Sequence, residues 1–121
     1  QYRPFGANWT GPVRVSQGNA DATQPDLAFD SSGQAHIVWQ EDIGGAYRVM
    51  YTVLRPGDLS IESQVALSRT EADARTPAIA LNPRTDGMFV LWLDWSIEGE
   101  RSLVYREGVP PNTGVDSWWI H

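Results

Sequence analysis

The sequence has 121 residues and no cysteine. That excludes disulfides, thiolate metal sites and thiol nucleophiles, and it leaves the redox compartment open. Lysine is absent too, so all nine basic residues are arginine, set against fifteen acids for a net charge of −6. The arginines form no cluster, and an acidic surface repels phosphate backbones, so nucleic acid is not an expected partner. The longest apolar run, Met88–Leu93, is far too short to cross a bilayer, and no membrane insertion is expected. Histidine occurs only at His36 and His121. With no thiols to join them, no metal site and no cofactor are expected. G-x-S-x-G, P-loop and G-x-G-x-x-G motifs are missing, as is a Ser-His-Asp order, so no catalytic residue is assigned and the balance leans away from an enzyme. No stretch sustains a helical period; the nearest, Glu71–Arg75, is short and runs into Pro77.

What is present is an internal repeat. Val13, Ser16, Ala20, Asp21, Ala22, Pro25 and Ala28 all return at an offset of 52, as from Pro25 to Pro77. Trp39 returns as Trp92, and Glu41 as Asp94, at an offset of 53. Ile43, Gly45, Tyr51 and Pro56 return at 54 as Ile97, Gly99, Tyr105 and Pro110. Identities kept in order, with one-residue drifts between them, mark two copies of one supersecondary unit. The chain therefore reads as a single domain, 1–121, of two repeats: about 9–60 with a leading outer strand, and 61–121.

Each copy reads as four short strands. Asp26–Phe29 follows a proline, which suits a strand start. Asp30-Ser31-Ser32-Gly33 is turn chemistry. Gln34–Glu41 is rich in β formers, and Ile43-Gly44-Gly45 breaks it from Tyr47–Leu54, whose residues alternate. Ser63–Ser68 is the fourth strand. The second copy follows with Ala78–Leu81, Met88–Asp94 and Ser102–Arg106. Trp9–Ser16 aligns with Ile61–Ser68, so the chain opens on the last strand of a unit. Val115–Ser117 aligns with Ile61–Ser63, which extends the same strand type to Trp118–Ile120.

The run of Pro25, Leu27, Ala28, Asp30, Gly33, His36–Trp39 and Tyr51 resembles blades of sialidase-like (neuraminidase-type) β-propellers. The second copy carries the likeness with Pro77, Ile79, Ala80, Gly87, Val90–Trp92 and Tyr105, and the resemblance covers roughly residues 9–108. The family's Asp-box is absent: that turn reads Arg55-Pro56-Gly57-Asp58-Leu59-Ser60. The resemblance implies an all-β fold of two four-stranded antiparallel propeller-type blades. Two blades are too few for a ring, since propellers use roughly four to eight. They are expected to complete one with copies of the chain, a trimer being the preferred case, or with neighbouring blades of a larger propeller. A β-sandwich of two similar halves is the structural alternative.

Candidate site residues are few. Glu41 and Asp94 end matched strands, and a pair of carboxylates brought close can do acid–base work on a glycoside. Trp95, Trp118 and Trp119 have no repeat partner. Exposed indoles stack on sugars, so these five residues form the candidate ligand set. Trp118-Trp119 also suits a subunit or domain contact, where Trp is enriched. Trp39 and Trp92 read as core, His36 as a core or face histidine, and Asp21, Asp26 and Asp30 as loop solvation. The expected function is a non-catalytic binding or scaffold module within a ring or larger assembly. A glycan-binding lectin and a fragment of a sialidase-like glycosidase are the alternatives. The family resemblance, and a chain opening at Gln1, lead to an expected processed form or piece of a longer protein, extracellular or periplasmic.

Overall fold

The structure is a computed structural model that describes residues 11–18, 20–55, 60–62, 64–69, 73–95 and 101–108. It is all-β, with no helix among the described residues. The strands in chain order are β1 (Ala22–Phe29), β2 (Ala35–Ile43), β3 (Ala46–Arg55), β4 (Ser60–Ile61), β5 (Val65–Ala66), β6 (Asp73–Leu81), β7 (Met88–Trp95) and β8 (Arg101–Gly108). They form two antiparallel sheets, neither of them closed. The first runs β1-β2-β3, with β4 and β5 both paired to β3; the second runs β6-β7-β8.

The two sheets repeat one register. Ala22 faces Glu41 and Leu27 faces Ile37 in the first; Ala74 faces Asp94 and Ile79 faces Val90 in the second. Each pair is the other displaced by the repeat offset. Even the irregularity recurs: the ladder slips between Thr23 and Asp26, and again between Arg75 and Ala78. Pro25 and Pro77 sit in these slips. Proline cannot donate to a ladder, so within a strand it is accommodated at a bulge. The residue ahead of each takes a left-handed backbone, Gln24 at φ 55° and Thr76 at φ 58°. Such a φ is strained for β-branched threonine. The Thr76 N–H is held by Gln40 Oε1 at 2.8 Å.

This corrects two strand starts read from sequence. Asp26–Phe29 and Ala78–Leu81 were expected to begin after their prolines; β1 and β6 instead run through them, because the bulge lets pairing resume upstream. The fourth strand is also broken. Ser63–Ser68 was expected to be continuous, whereas Ser60–Ile61 and Val65–Ala66 pair separately with β3. The β2–β3 hairpin turns at Gly44 and Gly45, both at positive φ, where glycine carries no steric cost. The fourth strand expected near Trp118–Ile120 lies outside the described residues.

The sheets pack face to face. Strand side chains alternate between faces. Val38, Val49 and Tyr51 of the first sheet meet Ile79, Met88 and Val90 of the second in one core. Polar side chains seal the seam along β6: Asp26 Oδ2 accepts the Ile79 N–H at 3.0 Å, and the Tyr47 N–H donates to Asp73 Oδ1 at 2.8 Å. The matched turns lie side by side, with the Ser31 N–H donating to Asp86 Oδ1 at 3.0 Å.

Candidate functional site

A buried polar chain runs through the first sheet. Asp30 Oδ1 accepts the N–H groups of Ser32 and Gln34, at 2.9 and 3.0 Å, and the Ser32 hydroxyl at 2.8 Å. Its Oδ2 lies 2.8 Å from His36 Nε2, and His36 Nδ1 lies 2.7 Å from the Tyr51 hydroxyl, which reaches Met88 Sδ at 3.5 Å. Burial works against charge on Asp30. Hydrogen bonds from His36, Ser32 and Gln34 outweigh it and hold the carboxyl below its ordinary range. Burial, with the charges of Asp30 and Glu62, pushes the Tyr51 phenol well above its usual value. His36 is fully buried, so no substrate reaches it. The chain ties the β1–β2 turn to β3 and to the second sheet. Only the first repeat carries it: the matching residues are Asn82, Phe89 and Tyr105. Sequence reading left His36 as a core or face histidine and read Asp30 as solvated, because the pairing of a turn acid with a strand histidine depends on side-chain direction.

The candidate ligand residues fall into separate surroundings. Glu41 is buried and accepts the Trp39 indole N–H at 2.9 Å. Asp94 is its counterpart, one methylene shorter. Trp92 Nε1 is buried with no partner among the described residues, and Asp94 Oδ1 instead stands 3.8 Å from the exposed Arg69 guanidinium. Trp92, Asp94, Arg69, Leu67 and Arg106 line an open cleft of about 450 Å³ beside β8. Arg106 donates to the Leu67 carbonyl there, and burial lowers its pKa. By strand alternation Glu41 lies on the first sheet's outer face and Asp94 on the second sheet's inner face, so the first sheet stands between the two carboxylates.

Trp95 lies at the far end of β7, where its ring is occupied. The Arg75 guanidinium is 4.5 Å from the Tyr47 ring and 5.4 Å from the Trp95 ring, while Arg101 is 5.0 Å from the latter. Cations over indole faces are attracted by the ring quadrupole. Asp73 holds Arg75 at 2.9 Å, keeping the guanidinium more firmly charged. Trp118 and Trp119 lie outside the described residues. Among the described residues, no group of three or more His, Asp or Glu could hold a metal ion.

Among the described residues, the outer face of the second sheet carries a group of exposed apolar side chains. Phe89, Leu91, Leu103 and Tyr105 are all exposed there. In the first sheet their counterparts by repeat are His36, Val38, Val49 and Tyr51, and all four are buried. Tyr51 is 2% exposed and Tyr105 57%; Val38 is 0% exposed and Leu91 39%. Equivalent positions thus make a covered face in one sheet and an open face in the other. Sequence reading did not single out this face, although the repeat offset alone identifies its residues.

Comparison of the chain with protein-family models, with curated proteins and with solved structures gives no match.

Proposed function

We propose that the chain is a non-catalytic binding or scaffold module, a pair of propeller-type blades that works within a larger assembly. The observation that carries this reading is the open apolar face of the second sheet, residue for residue the counterpart of a face buried in the first. Contiguous apolar surface of this kind on a folded protein marks an interaction site. It favours blades over a sandwich of two halves, because a sandwich turns polar side chains outward on both sheets. The packing of β6 against β1, β2 and β3 suits neighbouring blades about an axis. The lectin and glycosidase readings draw less support, since arginines cover the Trp95 ring and the first sheet separates Glu41 from Asp94.

Light scattering on a sizing column, over a range of concentrations, tests the reading. The expected mass is a stable multiple of the 13.5 kDa chain. Leu91→Glu puts a charge on the exposed face, and should return the mass to one chain with the β-sheet circular dichroism unchanged. A folded wild-type monomer at every concentration would count against an assembly built from this chain.

A further inference from the structure

The outer face of the second sheet is open and that of the first is open at Leu27 and Phe29, with Trp39 beside them buried; each face matches one half of the contact between the sheets. The outer face of the second sheet repeats the inner face of the first, as described above. The converse also holds. Leu27, Ile37 and Trp39 point away from the second sheet, and their counterparts are Ile79, Val90 and Trp92, which point into the shared core. Leu27 and Phe29 are exposed on that face at 50% and 59%. The internal contact is therefore heterologous, one face type against the other, and a free copy of each type remains. Such contacts propagate head to tail.

The leading segment bears the same mark. Val15 and Ser16 lie over Trp39, lining a space with Leu27 and Ile37. Their counterparts Leu67 and Ser68 close the outer strand of the first sheet, and Leu67 borders the cleft beside Trp92. Val15 and Ser16 thus sit against the first sheet as residues of a preceding sheet's outer strand would. Yet among the described residues this segment joins no sheet, and β8 has no strand on its far edge.

From this we infer that a second copy of the chain docks head to tail. The open face of β6–β8 packs on the outer face of β1–β3 of the next copy, whose leading segment lies along β8 as the outer strand. The inference rests on the scaffold reading and names its partner and register. In the first sheet Ala66 faces Met50 and Val65 faces Tyr51. Carried over by the repeat offsets, Arg14 of the incoming copy faces Val104, and its Val13 faces Tyr105. One difference sets the new contact apart: Ala78 and Leu93 stand where Asp26 and Gln40 clamp β6 amides, so it is the more apolar of the two.

Disulfide trapping tests it in a chain that has no cysteine of its own. Met50 and Ala66 form a narrow antiparallel pair, since Val49 and Leu67 take the hydrogen-bonded position beside it. Cα atoms at such a pair are about 4.5 Å apart, within disulfide reach. Arg14→Cys and Val104→Cys are made in separate chains, mixed, and oxidised mildly. The expected product is a band on a non-reducing gel at twice the chain mass that needs both variants, vanishes with reductant, and is lost when Leu91→Glu is added to the Val104→Cys chain. A multimer by light scattering with no mixed disulfide overturns the head-to-tail register and leaves the scaffold reading standing. So does a disulfide formed by Val104→Cys alone, which reports two open faces meeting about a two-fold axis. A single-chain mass throughout, with no disulfide, overturns both.

Discussion

In β2, almost every side chain from Ala35 to Glu41 is buried, while in β7 burial alternates residue by residue from Met88 to Asp94. The two strands occupy the same place in the repeat and pair in the same register. Their difference lies in what covers them. The first sheet has the second on one face and the leading segment over part of the other; the second sheet is covered on one face only. Side-chain choice follows. The first repeat fills its covered face with a hydrogen-bonded Asp30–His36–Tyr51 chain, which a dry interior demands of polar groups. The second places Asn82, Phe89 and Tyr105 at those positions, and no partner is needed where water reaches.

The largest effect that would break this comparison comes from His36. Replacing His36→Leu leaves the Asp30 carboxylate buried without its partner. The expected loss of stability is about 3–5 kcal/mol, read as a lower urea midpoint. The matched substitution Phe89→Leu, on the open face, should stay within about 0.5 kcal/mol. Equal losses at the two positions would mean that the second sheet's outer face is covered even in the isolated chain.

A smaller effect separates the matched tryptophans. Trp39 has Glu41 for its indole N–H, whereas Trp92 has no partner among the described residues. Asp94→Glu restores the missing methylene and should stabilise the fold by about 0.5–1.5 kcal/mol, with Glu41→Asp losing a similar amount. Thermal unfolding of the two variants checks both signs. No gain from Asp94→Glu would mean that Arg69 holds the longer carboxylate away from the indole.

The smallest difference is one of slope with pH. The folded-state pKa of Asp30 is lowered, so its contribution is fully present above the unfolded carboxylate value of about 3.9. It is lost as pH falls through the folded value. Asn82, at the matching turn, does not titrate. Asp30→Asn should therefore be less stable at neutral pH and decline less steeply below about pH 4. Burial also opposes charge on Asp73, but the Arg75 and Tyr47 hydrogen bonds prevail and lower its pKa too, so some slope remains in the variant. Urea midpoints across the acid range provide the measurement.

Much of the fold was legible in the sequence. The repeat offsets placed Trp39 with Trp92 and Glu41 with Asp94, and the ladders keep those pairings. The β2–β3 turn followed from Gly44 and Gly45. The strand starts did not, because a bulge that carries a ladder past proline has no composition of its own. Nor did the broken outer strand, which depends on how 60–67 lies along β3. Of the candidate site, Asp94 falls in a cleft and Glu41 under an indole, and that divergence turns on one methylene. The arginines around Trp95 come from β6 and β8, the strands on either side of β7, so reading β7 alone could not find them.

What the sequence by itself determined is the unit: its strands, their order, the turn chemistry, and a pattern of apolar side chains on both faces. A period of two places alternate residues on opposite sides and holds wherever the strand is placed. What only the tertiary structure decided is which faces are filled. The two repeats present the same face types, and nothing in the alternation says that Val38 is dry while Leu91 meets solvent. Burial belongs to the pair of surfaces that meet, and the second surface comes from elsewhere in the chain or from another copy of it.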